Sequence, residues 1–170
     1  MEENNNKTEL KDLIHLFYSK NKSYVFIFFT LILILIILFI SINIYQKNKN
    51  EIMSEKFIKA GIYLSSKQET NAYKIYKEII LSKNKFYSIL ALNTIIEKNL
   101  ETDKAKILTY FNILENLKIP KDQKDLIYFK KALYLLKILD INEGNKLLSE
   151  IINSESKLKS LAQDILNKWL

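Results

Sequence analysis

Acyl transfer, metal-assisted hydrolysis and phosphate handling each demand particular side chains in particular company, and this chain of 170 residues carries few of them. His15 is its one histidine, and cysteine is absent. A Ser-His-Asp or Cys-His arrangement needs the imidazole within hydrogen-bond reach of the nucleophile. His15 lies in a short tail ahead of a long apolar run, so neither that arrangement nor a histidine-bearing metal cluster is expected beyond the run. Gly61 and Gly144 stand alone and make no phosphate-cradling loop. The paired acids Asp122 and Asp125 fall at an expected helix start, where they complement the helix dipole. The expectation is a chain with no catalytic, cofactor or metal residues and no small-molecule substrate, hence not an enzyme.

Binding is the chemistry that remains. Two stripes at i, i+4, i+7 and i+11 stand out beside the apolar positions of their segments: Phe86, Leu90, Asn93 and Glu97, then Ile127, Lys131, Tyr134 and Ile138. On helices these residues could line a groove for an extended or helical segment of a partner protein. They could equally serve to pack a helix against neighbours on two sides. A third stripe, Leu10, Leu13, Ile14 and Phe17, suits an amphipathic helix lying on a membrane or against a partner's span, with His15 a bystander. Trp169 is expected to cap the last core layer or to present a sticky end.

All 26 basic residues are lysines, and the formal net charge is +7. A chain selected to grip phosphate would be expected to use arginine, whose planar fork binds it bidentately. Nucleic acid is therefore not an expected partner; weak attraction to anionic lipid headgroups is more in keeping. Absence of cysteine excludes a disulfide framework, a thiolate metal site and a lipid-modified cysteine.

The element that must position everything else is the run Tyr24 to Tyr45, which carries no charge and has only Thr30, Ser41 and Asn43 as clearly polar side chains. At about 1.5 Å per residue it covers roughly 33 Å, enough for a hydrocarbon core of about 30 Å. The exit through Asn43, Tyr45, Gln46 and Lys47 lacks the small residues of a signal-peptidase site, so an uncleaved anchor is expected. A buried helix of a soluble protein would rarely be apolar all round and bracketed by interfacial tyrosines with lysines beyond. The expected organisation is a tail at 1–23, a transmembrane anchor at 24–45 and a soluble domain at 46–170.

After the anchor the hydrophobic period is helical throughout, which predicts an all-α domain. The anchor helix is expected to continue through Ile52, Phe57, Ala60 and Leu64 to a break at Ser65 and Ser66. Further helices are predicted over about 70–82, 85–98, 103–117 and 121–139, with Pro120 as a stop or first-turn residue. Asn142 or Asn145 would cap a sixth helix ending near 153, and Ser154 or Ser156 would open a last one reaching Trp169.

The pattern Ala72, Ile75, Tyr76, Ile79 returns as Ile107, Tyr110, Phe111, Leu114 and again as Gly144, Leu147, Leu148, Ile151. That marks the second helix of three successive pairs, at a period close to the roughly 34 residues of tetratricopeptide arrays. A degenerate helical-hairpin solenoid is the expectation, with a generic helical bundle as the alternative.

The segment Leu10-Lys11-Asp12-Leu13-Ile14 leading into one span, the stretch Phe86 to Leu92 and the aromatic pair Tyr110-Phe111 resemble the bacterial family of ancillary SecYEG translocon subunits and cell-division coordinators with tetratricopeptide-like domains, in its short, divergent alphaproteobacterial form. The resemblance implies a non-enzymatic adaptor of the bacterial inner membrane. Its C-terminal domain would face the periplasm and bind secretion translocon subunits and a membrane-anchored chaperone. The chain departs from the longer members by ending after the first helix of a fourth pair.

Lys11, Lys20 and Lys22 on one side of the span face Lys47, Lys49, Lys56 and Lys59 on the other, so the charge rule does not set orientation. The position of the anchor and the resemblance favour a cytoplasmic tail. The other function expected of such a chain is a self-associating structural envelope or division factor, although the span lacks the small-x-x-x-small spacing that promotes close helix contact.

Overall fold

The computed structural model describes residues 3–169, with side chains from residue 20 onward. His15 and the tail stripe of Leu10, Leu13, Ile14 and Phe17 lie outside the described side chains. The described residues form helices and no strand: α1 (Glu3–Ser65), α2 (Glu69–Leu81), α3 (Tyr87–Glu97), α4 (Lys104–Glu115), α5 (Lys121–Lys137), α6 (Ile141–Asn153) and α7 (Lys159–Trp169). They fall into two compact units, Met1–Lys49 and Asn50–Leu170. The division comes a few residues beyond the expected end of the span.

In the first unit, Asn21 departs from helical backbone at φ −119 and ψ 22 and kinks α1 just before the expected start of the span. Beyond the kink, α1 is long and apolar enough to cross a membrane. Phe26, Phe29, Leu35 and Phe39 are all exposed, as are most of their neighbours around the helix. Two of its three polar side chains are satisfied within the helix. Thr30 Oγ1 donates to the Phe26 carbonyl at 2.9 Å, and Ser41 Oγ donates to the Ile37 carbonyl at 2.8 Å. Such back-bonding leaves no hydroxyl seeking water, the condition that hydrocarbon imposes.

The second unit begins with the last turns of α1, which bury Met53 and Ala60. Residues 50–65 are followed in chain order by α2 to α7, with α3 packed on α2 and α6 packed on both α5 and α7. The helices α1, α3 and α5 stop in the same way. Lys67, Asn99 and Leu139 take left-handed φ values of 58, 50 and 62. The next amide in each case reaches back to close the helix: Gln68 to the Tyr63 carbonyl, Leu100 to Ile95 and Asp140 to Leu135, at 2.9, 3.0 and 2.9 Å. This double-bonded stop is the one glycine usually serves, and here no glycine serves it.

The recurring sequence pattern lands on the inner faces of α2, α4 and α6. Ala72, Tyr76, Ile79, Ile107, Tyr110, Phe111, Leu114, Leu148 and Ile151 are buried, and Gly144 with them. Ile75 and Leu147 are half-buried. Two clusters result. One joins the end of α1 to α2, α3, α4 and one face of α5 through Ile127 and Tyr134. The other joins the opposite face of α5, through Phe129, Ala132 and Leu136, to α6 and α7. α5 thus serves two cores, and its wide apolar face has a packing cause.

Three local expectations change. Asn142 and Asn145 lie inside α6 and cap nothing, because the helix opens at Ile141 directly after the turn closed by the Asp140 amide. The Asp140 carboxylate instead accepts from Lys104 Nζ at 2.7 Å, tying the start of α4 to this turn. α7 starts at Lys159, with Ser156 Oγ accepting from the Leu158 amide just ahead of it. Trp169 leaves 41% of its surface open and is not among the residues packed on the second core.

Candidate functional site

The two helices that carry the predicted binding stripes are α3 and α5. α3 is started by Asn84, a residue almost wholly buried, whose Oδ1 accepts from the Phe86 and Tyr87 amides at 3.0 and 2.9 Å. Its Nδ2 donates to Asn50 Oδ1 at 2.7 Å, so the same amide fixes α3 to the end of α1. Ser88 Oγ, fully buried, donates to the Ile79 carbonyl at 2.8 Å and locks α3 against α2.

The turn between α3 and α4 is held by Glu101. Its Oε2 accepts from Tyr73 Oη at 2.6 Å and from Lys106 Nζ at 3.0 Å, and its Oε1 accepts from the Thr102 and Asp103 amides. Tyr73 also meets Tyr110 Oη at 2.9 Å. The Tyr73 hydrogen bond, and then the Asp103 amide, hold the Glu101 carboxyl down at about 2. Burial first, and the bond to Glu101 second, push the Tyr73 hydroxyl far above the ordinary phenol value. A carboxylate so fully occupied is a structural tie, because it has no proton to give and no open lone pair aimed at a cleft. α5 is fixed by Lys131, whose Nζ reaches Glu115 Oε1 on α4 at 2.7 Å with both side chains largely covered.

Between α3 and α5 lies a shallow depression of about 210 Å³. α3 contributes Asn93, Ile96 and Glu97. α5 contributes Lys130, Leu133, Tyr134 and Lys137. Its volume is below the roughly 300–1,000 Å³ of small-molecule sites, and it suits protruding side chains rather than a cofactor. Among the described residues no group of three or more His, Cys, Asp or Glu side chains could hold a metal.

No family model, curated protein or solved structure matches this chain. Function therefore rests on the chemistry of these residues.

Of the first predicted stripe, Asn93 and Glu97 reach the depression, Leu90 is half-buried beside the helix axis, and Phe86 stands 61% exposed ahead of the first turn, stacked edge-on to Tyr87. Of the second stripe only Tyr134 reaches it, and its ring is 9% exposed. Ile127, at 1% exposure, is core, Ile138 packs on that same core, and Lys131 is spent on Glu115. The second stripe thus mainly packs. The groove's α5 wall is the neighbouring set Lys130, Leu133, Tyr134 and Lys137, at i, i+3, i+4 and i+7. That spacing is legible in the sequence, but on a helix that packs through two faces the period alone does not tell which edge meets α3.

Proposed function

We propose that this chain is a membrane-anchored, non-enzymatic scaffold whose paired helices hold a protein-binding surface close to a lipid bilayer. The observation that carries the reading is the surface of α1 between Tyr24 and Tyr45, exposed, uncharged and with both hydroxyls back-bonded. Exposing such a surface to water would be costly; bilayer hydrocarbon solvates it. In support of a tetratricopeptide-like solenoid stand the three second helices with one buried pattern and the three first helices with one kind of stop. Adaptor work around the secretion translocon of a bacterial inner membrane, recruiting a membrane-anchored chaperone to the periplasmic face, is the role that the resemblance adds. Confinement to one membrane raises effective concentration, so shallow contacts suffice for recruitment.

Protease accessibility of the C-terminal domain in intact cells, spheroplasts and lysed cells tests the topology, with cleavage expected once the outer barrier is opened. Photo-crosslinkers at Phe86 and Leu133 in native membranes are expected to recover translocon subunits or a chaperone. Recovery of lipid and bulk proteins alone would sink the translocon role.

Self-association is the second reading, favoured by Leu161, 47% exposed, and the half-open Trp169 on α7. A dimeric mass in mild detergent that Leu161→Asp reduces to a monomer would support it over the adaptor.

A further inference from the structure

The last turns of α1 and the helix α2 run side by side in opposite directions, and three contacts set their register. Gly61 stands next to Tyr76 Oη, Lys56 Nζ pairs with Glu78 at 2.9 Å, and Asn84 Nδ2 donates to Asn50 Oδ1 at 2.7 Å. Residue numbers fall along α1 as they rise along α2, so the turn between α2 and α3 closes beside Asn50. Asn84 holds that turn from within. It is almost wholly buried and bonded to the Phe86 and Tyr87 amides, while Lys83 takes a left-handed φ of 56.

What the turn leaves outside is apolar and basic. Leu81 and Phe86 each keep more than half of their surface open, and Lys83 and Lys85 between them are exposed. No acid lies between Leu81 and Glu97, and Glu78, the acid before them, is paired with Lys56. An aromatic and an aliphatic side chain beside lysines is the composition of segments that settle at the headgroup level of a membrane.

Asn50 gives that surface a neighbour. It follows Tyr45, the end of the uncharged stretch, by five residues of α1. That is about 7.5 Å at helical rise, and no course of the chain makes it more than about 18 Å. The headgroup layer on each side of the hydrocarbon is roughly 5–7 Å deep. With the span in a bilayer, the turn tied to Asn50 comes within reach of that layer.

We propose that the α2–α3 turn is a second membrane contact, in which Leu81 and Phe86 enter the headgroup layer of the bilayer that holds the span and Lys83 and Lys85 meet anionic lipid phosphates. The proposal rests on the anchored reading and adds to it a lipid-binding site in the C-terminal domain. Two points of attachment restrict how a domain swings over a membrane, where one only tethers it.

Because the chain has no cysteine, single ones can carry an environment-sensitive fluorophore on the full chain in nanodiscs. Leu81→Cys and Phe86→Cys report the turn, Leu35→Cys the span, and Leu139→Cys an apolar side chain, 75% exposed, on the turn after α5. The discs contain phosphatidylcholine and phosphatidylglycerol, with nitroxide lipids labelled either at the headgroup or deep in the acyl chain. Headgroup nitroxide is expected to quench the labels at Leu81 and Phe86 at least roughly threefold more than the one at Leu139, since a layer of such depth lies within contact range. K83E/K85E should bring the Leu81 label down toward the Leu139 value. Added salt should lower the signal of the turn with its lysines intact in these discs but not in phosphatidylcholine alone, a readout that needs no charge variant.

Labels at Leu81 and Phe86 quenched no more than the one at Leu139 overturn the proposal, as does a signal indifferent to both K83E/K85E and salt. If deep nitroxide still quenches Leu35 in that case, the anchored reading stands and only the second contact falls; an unquenched Leu35 removes the anchor itself. If the turn stays in water in the disc but Phe86 crosslinks to a protein in native membranes, it is a protein contact and the proposal also falls.

Discussion

Isoleucine and leucine fill both the Tyr24 to Tyr45 stretch of α1 and the helices after Asn50, yet they end in opposite places. In the first, Ile34, Ile36, Leu38 and Ile40 are exposed; in the second, Ile79, Ile80, Ile95 and Leu148 are wholly buried. What differs is the company they keep. The span has apolar side chains on every face, so no single neighbour could cover it, whereas each later helix has apolar faces that neighbouring helices cover and a polar face left to water. Continuous apolarity calls for a solvent of that kind, and periodic apolarity calls for another helix.

The strongest way to break this contrast is to charge the span. Ile34→Asp with Ile37→Asp should cost about 5–7 kcal/mol of insertion, at about 2.5–3.5 kcal/mol for each charge near the helix centre. Carbonate extraction should then release the protein, while Ile58→Asp, at an exposed site beyond the span, leaves it in the pellet. A protein that pellets unchanged with both aspartates would show that the 24–45 surface is not held by lipid.

Truncation within the helices after Asn50 comes next. Phe111, 2% exposed and stacked near Tyr134, should lose about 3–5 kcal/mol on Phe111→Ala, read from chemical denaturation of the domain. An equal loss from the exposed Phe86→Ala would contradict the burial pattern.

Glu101 sharpens the comparison from the polar side. Its carboxyl is held at about 2, below the ordinary value of 4.5, so its contribution is fully present above that value and fades as pH falls through the window toward 2. Glu101→Gln should lower stability at neutral pH and flatten the loss between about pH 4.5 and 2. Parallel acid curves for the two proteins would remove Glu101 as a tie.

The smallest effect separates two glycines. A methyl group on Gly144 would meet Leu136 at 2.8 Å and the Ala132 carbonyl at 3.3 Å, where α6 crosses α5. Gly144→Ala should therefore cost about 1–3 kcal/mol. At Gly61 the nearest atom is Tyr76 Oη at 4.0 Å, so Gly61→Ala should gain about 0.5–1 kcal/mol from helix propensity alone. Thermal melts of the two variants moving in the same direction would refute the crossing contact.

Helix existence was legible because Ala72, Tyr76, Ile79 and their counterparts recur at helical spacing. Ends were less so. Asn142 and Asn145 look like caps, yet α6 opens ahead of both, since Leu139 takes the left-handed turn that glycine would have announced. The candidate groove was half legible. Asn93, Glu97 and Tyr134 lie in it, but Ile127 and Lys131 turn to the core and to Glu115.

The sequence by itself determined the uncharged stretch, the helical period and the scarcity of catalytic side chains, because each follows from residue type and local spacing. Only the tertiary structure decided which edge of α5 faces α3, that Glu101 and Asn84 tie the turns, and that Leu81 and Phe86 are left open on the turn beside Asn50. Those outcomes depend on which helices become neighbours, and a period of 3.6 residues fixes a face without naming what will cover it.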